Sequence, residues 1–332
     1  MMIDIRNRPD IPELTFRHFK DENDYSQIAS VLTASQRADQ VERSVTADDI
    51  ANAYQHLDNC DPHSDIILAE VPGKMIGYAR GWWEDEAGNV RLYKQIGALV
   101  PEWRRKGIGQ AMLNWMEDHF REVAEFISPE KINFFQASMS QFQNGAARML
   151  ECSGYQPIRY FYEMVRPTLN NIDELPLPDG VEVRVANPEH YRAIWKSVNE
   201  NSQDEWGHRE LTEDDYKEWL KSTLFQPHLW QVAWDTSTNQ VAGYVLTYIY
   251  QEENKQFNRK RGYTEGIGVI RSWRRRGLAR SLINRSLQAQ KDTGMTESAL
   301  VVDSDNANEA TKLYKRCGFQ IVKRDTIYRK PF

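Results

Sequence analysis

The feature that most constrains this chain is a segment it contains twice. Trp103-Arg-Arg-Lys-Gly-Ile-Gly109 returns as Trp273-Arg-Arg-Arg-Gly-Leu-Ala279. Other landmarks return in the same order. Ile76-Gly-Tyr-Ala79 comes back as Ala242-Gly-Tyr-Val245, and Ser153-Gly-Tyr155 as Cys317-Gly-Phe319. Thr15-Phe-Arg17 ahead of Tyr25 has its echo in Glu182-Val-Arg184 ahead of Tyr191. Ordered landmarks at nearly constant spacing mark an internal duplication, so the chain should fold as two copies of one unit. Its 332 residues give each copy the length of an ordinary domain. Between the copies, residues 166–180 hold three prolines, two asparagines and a closing glycine. That composition predicts an extended connector dividing a domain 1–165 from a domain 181–332.

Each half alternates strand and helix signals, so the fold class is mixed α/β. In the second half, Val181–Val185 alternates as a strand and Pro188 opens a helix. Thr212 can cap another helix, with Asp214 and Asp215 suited to its positive end. Strands are predicted at 229–234, 240–249, 263–270 and 299–302, and helices at 277–293 and 309–317. The first half repeats the order, with strands at 66–70, 75–83 and 92–100, a helix from Gly107, and a last helix ending at Gly154.

The repeated segment joins a strand to a helix. The first N–H groups of a helix have no internal partner, and the helix dipole adds positive charge there. Glycine permits unusual dihedrals and close backbone approach, and flanking arginines add donors for phosphate oxygens. Strand, Arg-Arg-Arg-Gly and helix together suit a pyrophosphate. The segment is neither the GxxxxGK[ST] loop nor the GxGxxG fingerprint, because Met112 stands where the latter needs its last glycine.

Arg104-x-x-Gly107-x-Gly109 and Arg274-x-x-Gly277-x-Ala279 resemble the [Arg/Gln]-x-x-Gly-x-[Gly/Ala] signature of the GNAT N-acetyltransferase superfamily. Asp305-Asn-Ala-Asn-Glu-Ala-Thr-Lys-Leu-Tyr-Lys-Arg-Cys-Gly-Phe319 resembles that family's late Asn…Ala…Leu-Tyr-x-x-x-Gly-Phe segment. The tandem arrangement is similar to the mycothiol synthase group. The resemblance implies two tandem GNAT-like domains, each a mixed, mostly antiparallel, splayed sheet flanked by helices. It implies acetyl-CoA as cofactor and direct transfer to an amine in a ternary complex. In the second half Ile267, Gly268 and Val269 would line the thioester arm. Arg274, Arg275, Arg276, Gly277, Leu278 and Ala279 would take the pyrophosphate, with Asn306 nearby. The matching positions of the first half are Ala98, Leu99, Val100, Arg104, Arg105, Lys106, Gly107, Ile108 and Gly109.

The halves differ where the chemistry would be. In this family a tyrosine four residues before the late glycine commonly protonates the departing thiolate. Tyr314 holds that place in the second half, and Leu150, which has no proton to give, holds it in the first. Tyr314 also completes an apolar stripe with Ala310, Leu313 and Cys317, the pattern of a core residue. Glu265, on the strand before the cradle, is a candidate base for the amine, or a salt-bridged structural carboxylate. The family commonly places its glutamate two residues further upstream, which on a strand is the same face. Counting back from the cradle puts Gln95 in the matching position of the first half. The second domain is therefore expected to be catalytic and the first degenerate, its cradle still able to bind acyl-CoA. For the acceptor, Asp204-Glu-Trp-Gly-His-Arg209 offers Glu205, Trp206 and His208, a mix that suits a cationic amine and equally an exposed loop.

Composition narrows the alternatives. A net charge of −6 argues against sequence-independent binding to nucleic acid. Cys60, Cys152 and Cys317 are too few and too scattered for a disulfide framework or a zinc site, and the histidines show no metal-ligand spacing. No apolar run is long enough to span a membrane, and the N-terminus lacks the stretch of a signal peptide, so a cytoplasmic location is expected. The leading expectation is an acetyl-CoA-dependent N-acetyltransferase acting on a small-molecule amine. The alternatives are a non-catalytic acyl-CoA sensor and an enzyme acting on a protein or peptide amine.

Overall fold

The computed structural model describes residues 2–42, 45–86, 88–127, 130–203, 206–207, 211–222, 224–305 and 310–332. The chain packs into two units. Unit 1 holds residues 1–159 and 325–332, and unit 2 holds 160–324.

Unit 1 is built from β1 (Thr15–His18), α1 (Asp24–Ala38), α2 (Ala47–Tyr54), β2 (Ile66–Val71), β3 (Lys74–Glu86), β4 (Val90–Leu99), α3 (Ile108–Ile127), β5 (Ile132–Ser140), α4 (Asn144–Cys152) and the start of β6 (Gln156–Arg166). Its strands run β1-β2-β3-β4-β5, antiparallel except for β4 and β5. Those two pair in parallel only from Val90–Ile132 to Lys94–Gln136. Beyond that rung no pairing joins them among the described residues, so the sheet opens there. Helices cover both faces. Met116 and Phe120 of α3 pack with Phe135, Leu150 and Tyr155 on one side, and Ile28, Val31 and Ile50 of α1 and α2 pack with Tyr78 and Val100 on the other. β2 reads Ile-Ile-Leu-Ala, with all four side chains buried, as a strand covered on both faces requires.

Unit 2 repeats the plan with β7 (Val181–Arg184), α5 (Pro188–Ser202), α6 (Glu213–Lys221), β8 (Gln231–Asp235), β9 (Gln240–Tyr248), α7 (Gln251–Gln256), β10 (Arg261–Val269), α8 (Leu278–Asp292), β11 (Glu297–Asp303), α9 (Ala310–Arg316) and β12 (Gln320–Pro331). The strands run β7-β8-β9-β10-β11, and the parallel pair β10 and β11 parts after Tyr263–Ala299. Pro188 opens α5 at its first turn. Thr212 caps α6 through the Asp215 amide, and the Asp215 carboxylate returns a bond to the Thr212 amide, satisfying two otherwise orphaned donors.

Division by packing differs from division by sequence at the last strand of each copy. Residues 325–331 of β12 pair with β5 inside unit 1. Residues 161–166 of β6 pair with β11 inside unit 2. Neither exchange leaves a compositional mark, because a strand satisfies the same ladder whichever copy supplies it. Residues 166–180 are irregular, as a proline-rich connector should be, but they are not free. Leu169 is buried in the unit 2 core, and the Asp173 and Leu175 carbonyls accept bonds from Asn284 and Ser281 of α8. The connector is a strap across that helix.

Candidate active site

In both units the repeated segment folds into the same turn. A short 3₁₀ helix, Pro101–Trp103 or Arg271–Trp273, leads into a pair of left-handed residues. Arg105 has φ +59° and Gly107 φ +83°; Arg275 has φ +62° and Gly277 φ +86°. This backbone aims the chain into α3 or α8, whose first ladder donors are the amides of Ala111 and Ser281. The three amides before each of them, at 108–110 and 278–280, lie ahead of the helix's own ladder. Lys106 lies over the Trp103 ring and Arg276 over the Trp273 ring, at 4.5 and 4.8 Å. Ile108 and Leu278 anchor the helix starts in their cores.

Arg104 and Arg274, expected among the cofactor ligands, turn their side chains back onto the protein. Arg104 pairs with the buried Asp39 carboxylate at 2.6 Å and reaches Ser35 Oγ at 2.7 Å. Arg274 donates to the Val269 carbonyl at 2.9 Å. Each braces the turn from behind, because the strand-end carbonyl and, in unit 1, a buried carboxylate require a donor.

The two cradles are not equally open. A Cβ on Gly107 would stand 3.2 Å from Pro9 Cγ, whereas one on Gly277 would meet nothing within 4 Å. Unit 1's N-terminal segment leans on its own cradle.

The strands before the cradles also differ. β4 pairs with β3 without interruption through Ala98 and Leu99, and Val100 follows with its amide on the Ile76 carbonyl. β10 carries a bulge between Glu265 and Ile267, where Gly266 takes φ +51°. One extra residue resets the register. Leu246 pairs with Glu265, while its counterpart Arg80, likewise three residues after the shared glycine, pairs with Ile96. Thr247 pairs with Thr264, and its counterpart Gly81 with Gln95. Glu265 therefore corresponds in the sheet to Ile96, and Gln95 to Thr264. Counting from the cradle misplaces Gln95 by one residue, because such a count cannot see the bulge. Beyond the bulge, Ile267, Gly268 and Val269 pair among the described residues with β9 only.

Glu265 is held among aromatic side chains. Tyr248, beside it on β9, belongs with Trp219 of α6 to the cluster packed on that face. Tyr250, leading into α7, stands edge-on to Tyr263 at 4.8 Å. Burial, then the nearby Glu253 charge, pushes the Glu265 carboxyl above the ordinary glutamate range. Burial and the Glu265 charge push the Tyr248 and Tyr250 hydroxyls up to about 12. Glu253 itself is paired with Arg259 and the Tyr263 hydroxyl. The carboxylate–aromatic mix expected at 204–209 is thus also present at 248–265. Sequence reasoning missed these tyrosines, which carry no spacing signal; Gly266 inside a strand was the available sign of a bulge.

Tyr314 is 8 % exposed in the unit 2 core, its ring edge-on to Phe319 at 6.3 Å. Leu150 fills the matching place in unit 1. Trp206 packs against Phe161 at 6.1 Å. Glu205, His208 and Asn306 lie outside the described residues. Cys317 is buried, which pushes its thiol up to about 11 and suits a core residue rather than a nucleophile. Among the described residues no three His, Cys, Asp or Glu side chains are grouped to hold a metal ion. No helix there is long and apolar enough to cross a membrane.

The sequence pattern of the Acetyltransferase (GNAT) family matches residues 29–136 and 191–319. A mycothiol acetyltransferase from Thermobifida fusca is 27% identical over 258 residues, covering 70% of this chain and 72% of its own. One from Geodermatophilus obscurus is 24% identical, covering 80% and 82%. Among solved structures, a GCN5-related N-acetyltransferase from Sphaerobacter thermophilus superimposes with a TM-score of 0.76 at 24% identity, covering 97% of this chain and 96% of that one. A tandem GNAT protein from the clavulanic acid biosynthesis pathway gives 0.65 at 17%, covering 96% and 98%.

Proposed function

The chain belongs to the acetyltransferase (GNAT) family, and from that premise we propose that it transfers an acetyl group from acetyl-CoA to a small-molecule primary amine, with the chemistry in unit 2. One convergence supports this reading most. Unit 2 alone combines an open cradle at Gly277 with a bulge beside a carboxylate, Glu265, on the strand leading to it.

The cradle fits a pyrophosphate. Its left-handed residues, exposed Arg275 and Arg276, and leading helix amides supply donors on one small surface. Past Tyr263 the β11-facing edge of β10 is released from the parallel ladder, so Ile267, Gly268 and Val269 can receive a pantetheine arm along it. Acetyl-CoA, when bound there, supplies the acetyl group as a thioester. The bond that forms joins the amine nitrogen to the acetyl carbon, and the bond that breaks is carbon to sulfur.

Glu265 accepts the proton of the incoming ammonium. Its raised pKa brings it nearer neutrality, where a general base works best. Tyr314 returns a proton to the sulfur. Tyr248, Tyr250 and Trp219 offer the amine a partly apolar wall with ring faces and hydroxyls, suited to a cation before it is deprotonated. Unit 1 has Ile96 at the position of Glu265 and no hydroxyl at Leu150, so its role is scaffolding. The relatives' name puts the amine precursor of mycothiol among the candidate acceptors, beside other amino sugars.

The test is release of free thiol from acetyl-CoA across a panel of amino sugars, the mycothiol precursor, and lysine and N-terminal peptides. Thiol release with an amino sugar or that precursor is expected. Release only with peptides would reassign the acceptor, and tight CoA binding without turnover would make the protein an acyl-CoA sensor.

A further inference from the structure

The central helix of each unit lies against its sheet, but the two interfaces are made of different side chains. In unit 1, Phe120 and Met116 of α3 cover Gly81 so closely that a Cβ there would stand 2.2 Å from the Phe120 ring. In unit 2 the corresponding positions are Gln290, Ser286 and Thr247. Beside the apolar contacts of Leu282 and Leu287, this part of the seam between α8 and the sheet is polar.

The seam is continuous. Thr247 Oγ1 of β9 and Ser286 Oγ of α8 lie 2.6 Å apart. Gln290 Nε2 donates to Ser286 Oγ at 3.2 Å and to Thr264 Oγ1 of β10 at 2.8 Å. Thr264 Oγ1 and Ser298 Oγ of β11 are 2.9 Å apart. All five residues have 0 % exposure. Gly262 makes the room, since a Cβ there would stand 2.3 Å from Gln290 Oε1. That oxygen has no hydrogen-bond partner among the described residues. Stability alone does not account for such a seam. Each desolvated group must recover what it lost to water, one does not, and unit 1 fills the same space with apolar carbon.

What the seam supplies is direction. Thr264 sits between the last rung joining β10 to β11, Tyr263–Ala299, and the bulge that begins at Glu265. Successive strand residues point to opposite faces. A Thr264 side chain fixed on the α8 face holds Glu265 on the other face and fixes the backbone where the strands part. We propose that Thr264, held by Gln290 and Ser298, is a positioning residue that sets the direction of Glu265 and the divergence of β10 from β11. This rests on the reading above, in which Glu265 is the base and residues 267–269 receive the thioester arm.

Thr264→Val keeps the shape and removes the hydroxyl; Thr264→Ser restores it. With an acceptor that supports turnover, Thr264→Val should lower kcat by about 10–100-fold through misplacement of the base. The acidic limb of the pH–rate profile should move, and the acetyl-CoA KM should rise with it, because residues 267–269 receive the thioester arm. Thr264→Ser should recover most of the rate. A second readout needs no turnover. Amide hydrogen exchange at 265–269 should quicken in Thr264→Val and return to normal in Thr264→Ser. If the wild type turns over no amine, the functional reading fails and exchange alone decides the seam. A Thr264→Val protein that loses thermal stability yet keeps the wild-type exchange at 265–269, or keeps kcat and pH profile, overturns the proposal. Should Thr264→Val not fold, Gln290→Met carries the same measurements.

Discussion

Gln95 donates its side-chain amide to the hydroxyl of Tyr155 at 2.5 Å, and both residues are buried. The pair occupies the face of β4 that in unit 2 belongs to Thr264, and it ties the strand to the turn between α4 and β6. Burial, then the Glu117 charge, drives the Tyr155 hydroxyl well above its ordinary pKa, so it stays a neutral donor and acceptor. Gln95→Leu would remove the donor to that hydroxyl, which keeps the Glu117 carboxylate beside it. The expected cost is about 0.5–1.5 kcal/mol of stability, the net worth of one hydrogen bond. Because the pair is structural, acetyl transfer should stay near wild type in the folded variant. Chemical denaturation beside a thiol-release assay checks both, and a large loss of turnover at full folding would return unit 1 to the chemistry.

The two cradles allow a controlled comparison. Gly107 and Gly277 share the left-handed conformation, so alanine strains each by about 1–3 kcal/mol. They differ in what the new methyl meets, Pro9 in one case and open space in the other. If unit 2 binds the cofactor, Gly277→Ala should raise the acetyl-CoA KM by about tenfold or more by blocking close backbone approach. Gly107→Ala should leave it within about twofold. Equal effects would mean that strain is being measured and not occupancy.

Much of this was legible in the residues, and what was not has physical causes. Thr212, Pro188 and the Arg-x-x-Gly turn act through their nearest neighbours, so sequence locates them. The duplication follows from ordered landmarks, and the family from the resemblance of residues 104–109, 274–279 and 305–319 to its signature segments. The bulge is different. Gly266 hints at it, but only pairing with Leu246 and Val245 reveals that Gln95 and Glu265 are not counterparts. The exchange of residues 161–166 and 325–331 is equally silent, since either strand satisfies the same ladder. The strap at Leu169 reads in the sequence only as an extended connector, because proline content reports backbone stiffness and not what a lone leucine packs against. The polar seam under α8 was hidden too, as scattered Ser, Thr and Gln carry no period.

Tyr314 separates two roles by one atom. Its ring packs with Phe319 in the core, and phenylalanine would preserve that packing. If the hydroxyl protonates the leaving sulfur, Tyr314→Phe should lower kcat by about 10²–10⁴-fold while leaving the acetyl-CoA KM nearly unchanged. The variant should remain folded. Retention of kcat within about threefold would make Tyr314 a core residue only and send the search for the acid elsewhere.

Glu265 can be examined from rate and from stability, and the two must agree. Burial raises its folded pKa above the ordinary value of 4.5. Between those two pKa values the folded protein binds more protons than the unfolded chain, so stability falls as pH rises through that window. Below the window the carboxyl is neutral in both states and its penalty vanishes; above it the penalty is complete. Glu265→Gln removes a charge that is unfavourable to bury. The variant should therefore be more stable than the wild type at neutral pH, and the gap should close as pH falls toward 4.5 and below. Its rate should move the other way, with kcat/KM down by about 10²–10⁴-fold for a lost general base and the acidic limb absent. Thermal unfolding across pH, set beside the pH–rate profile, measures both. A variant that gains stability yet keeps the acidic limb would leave Glu265 a buried carboxylate that is not the base.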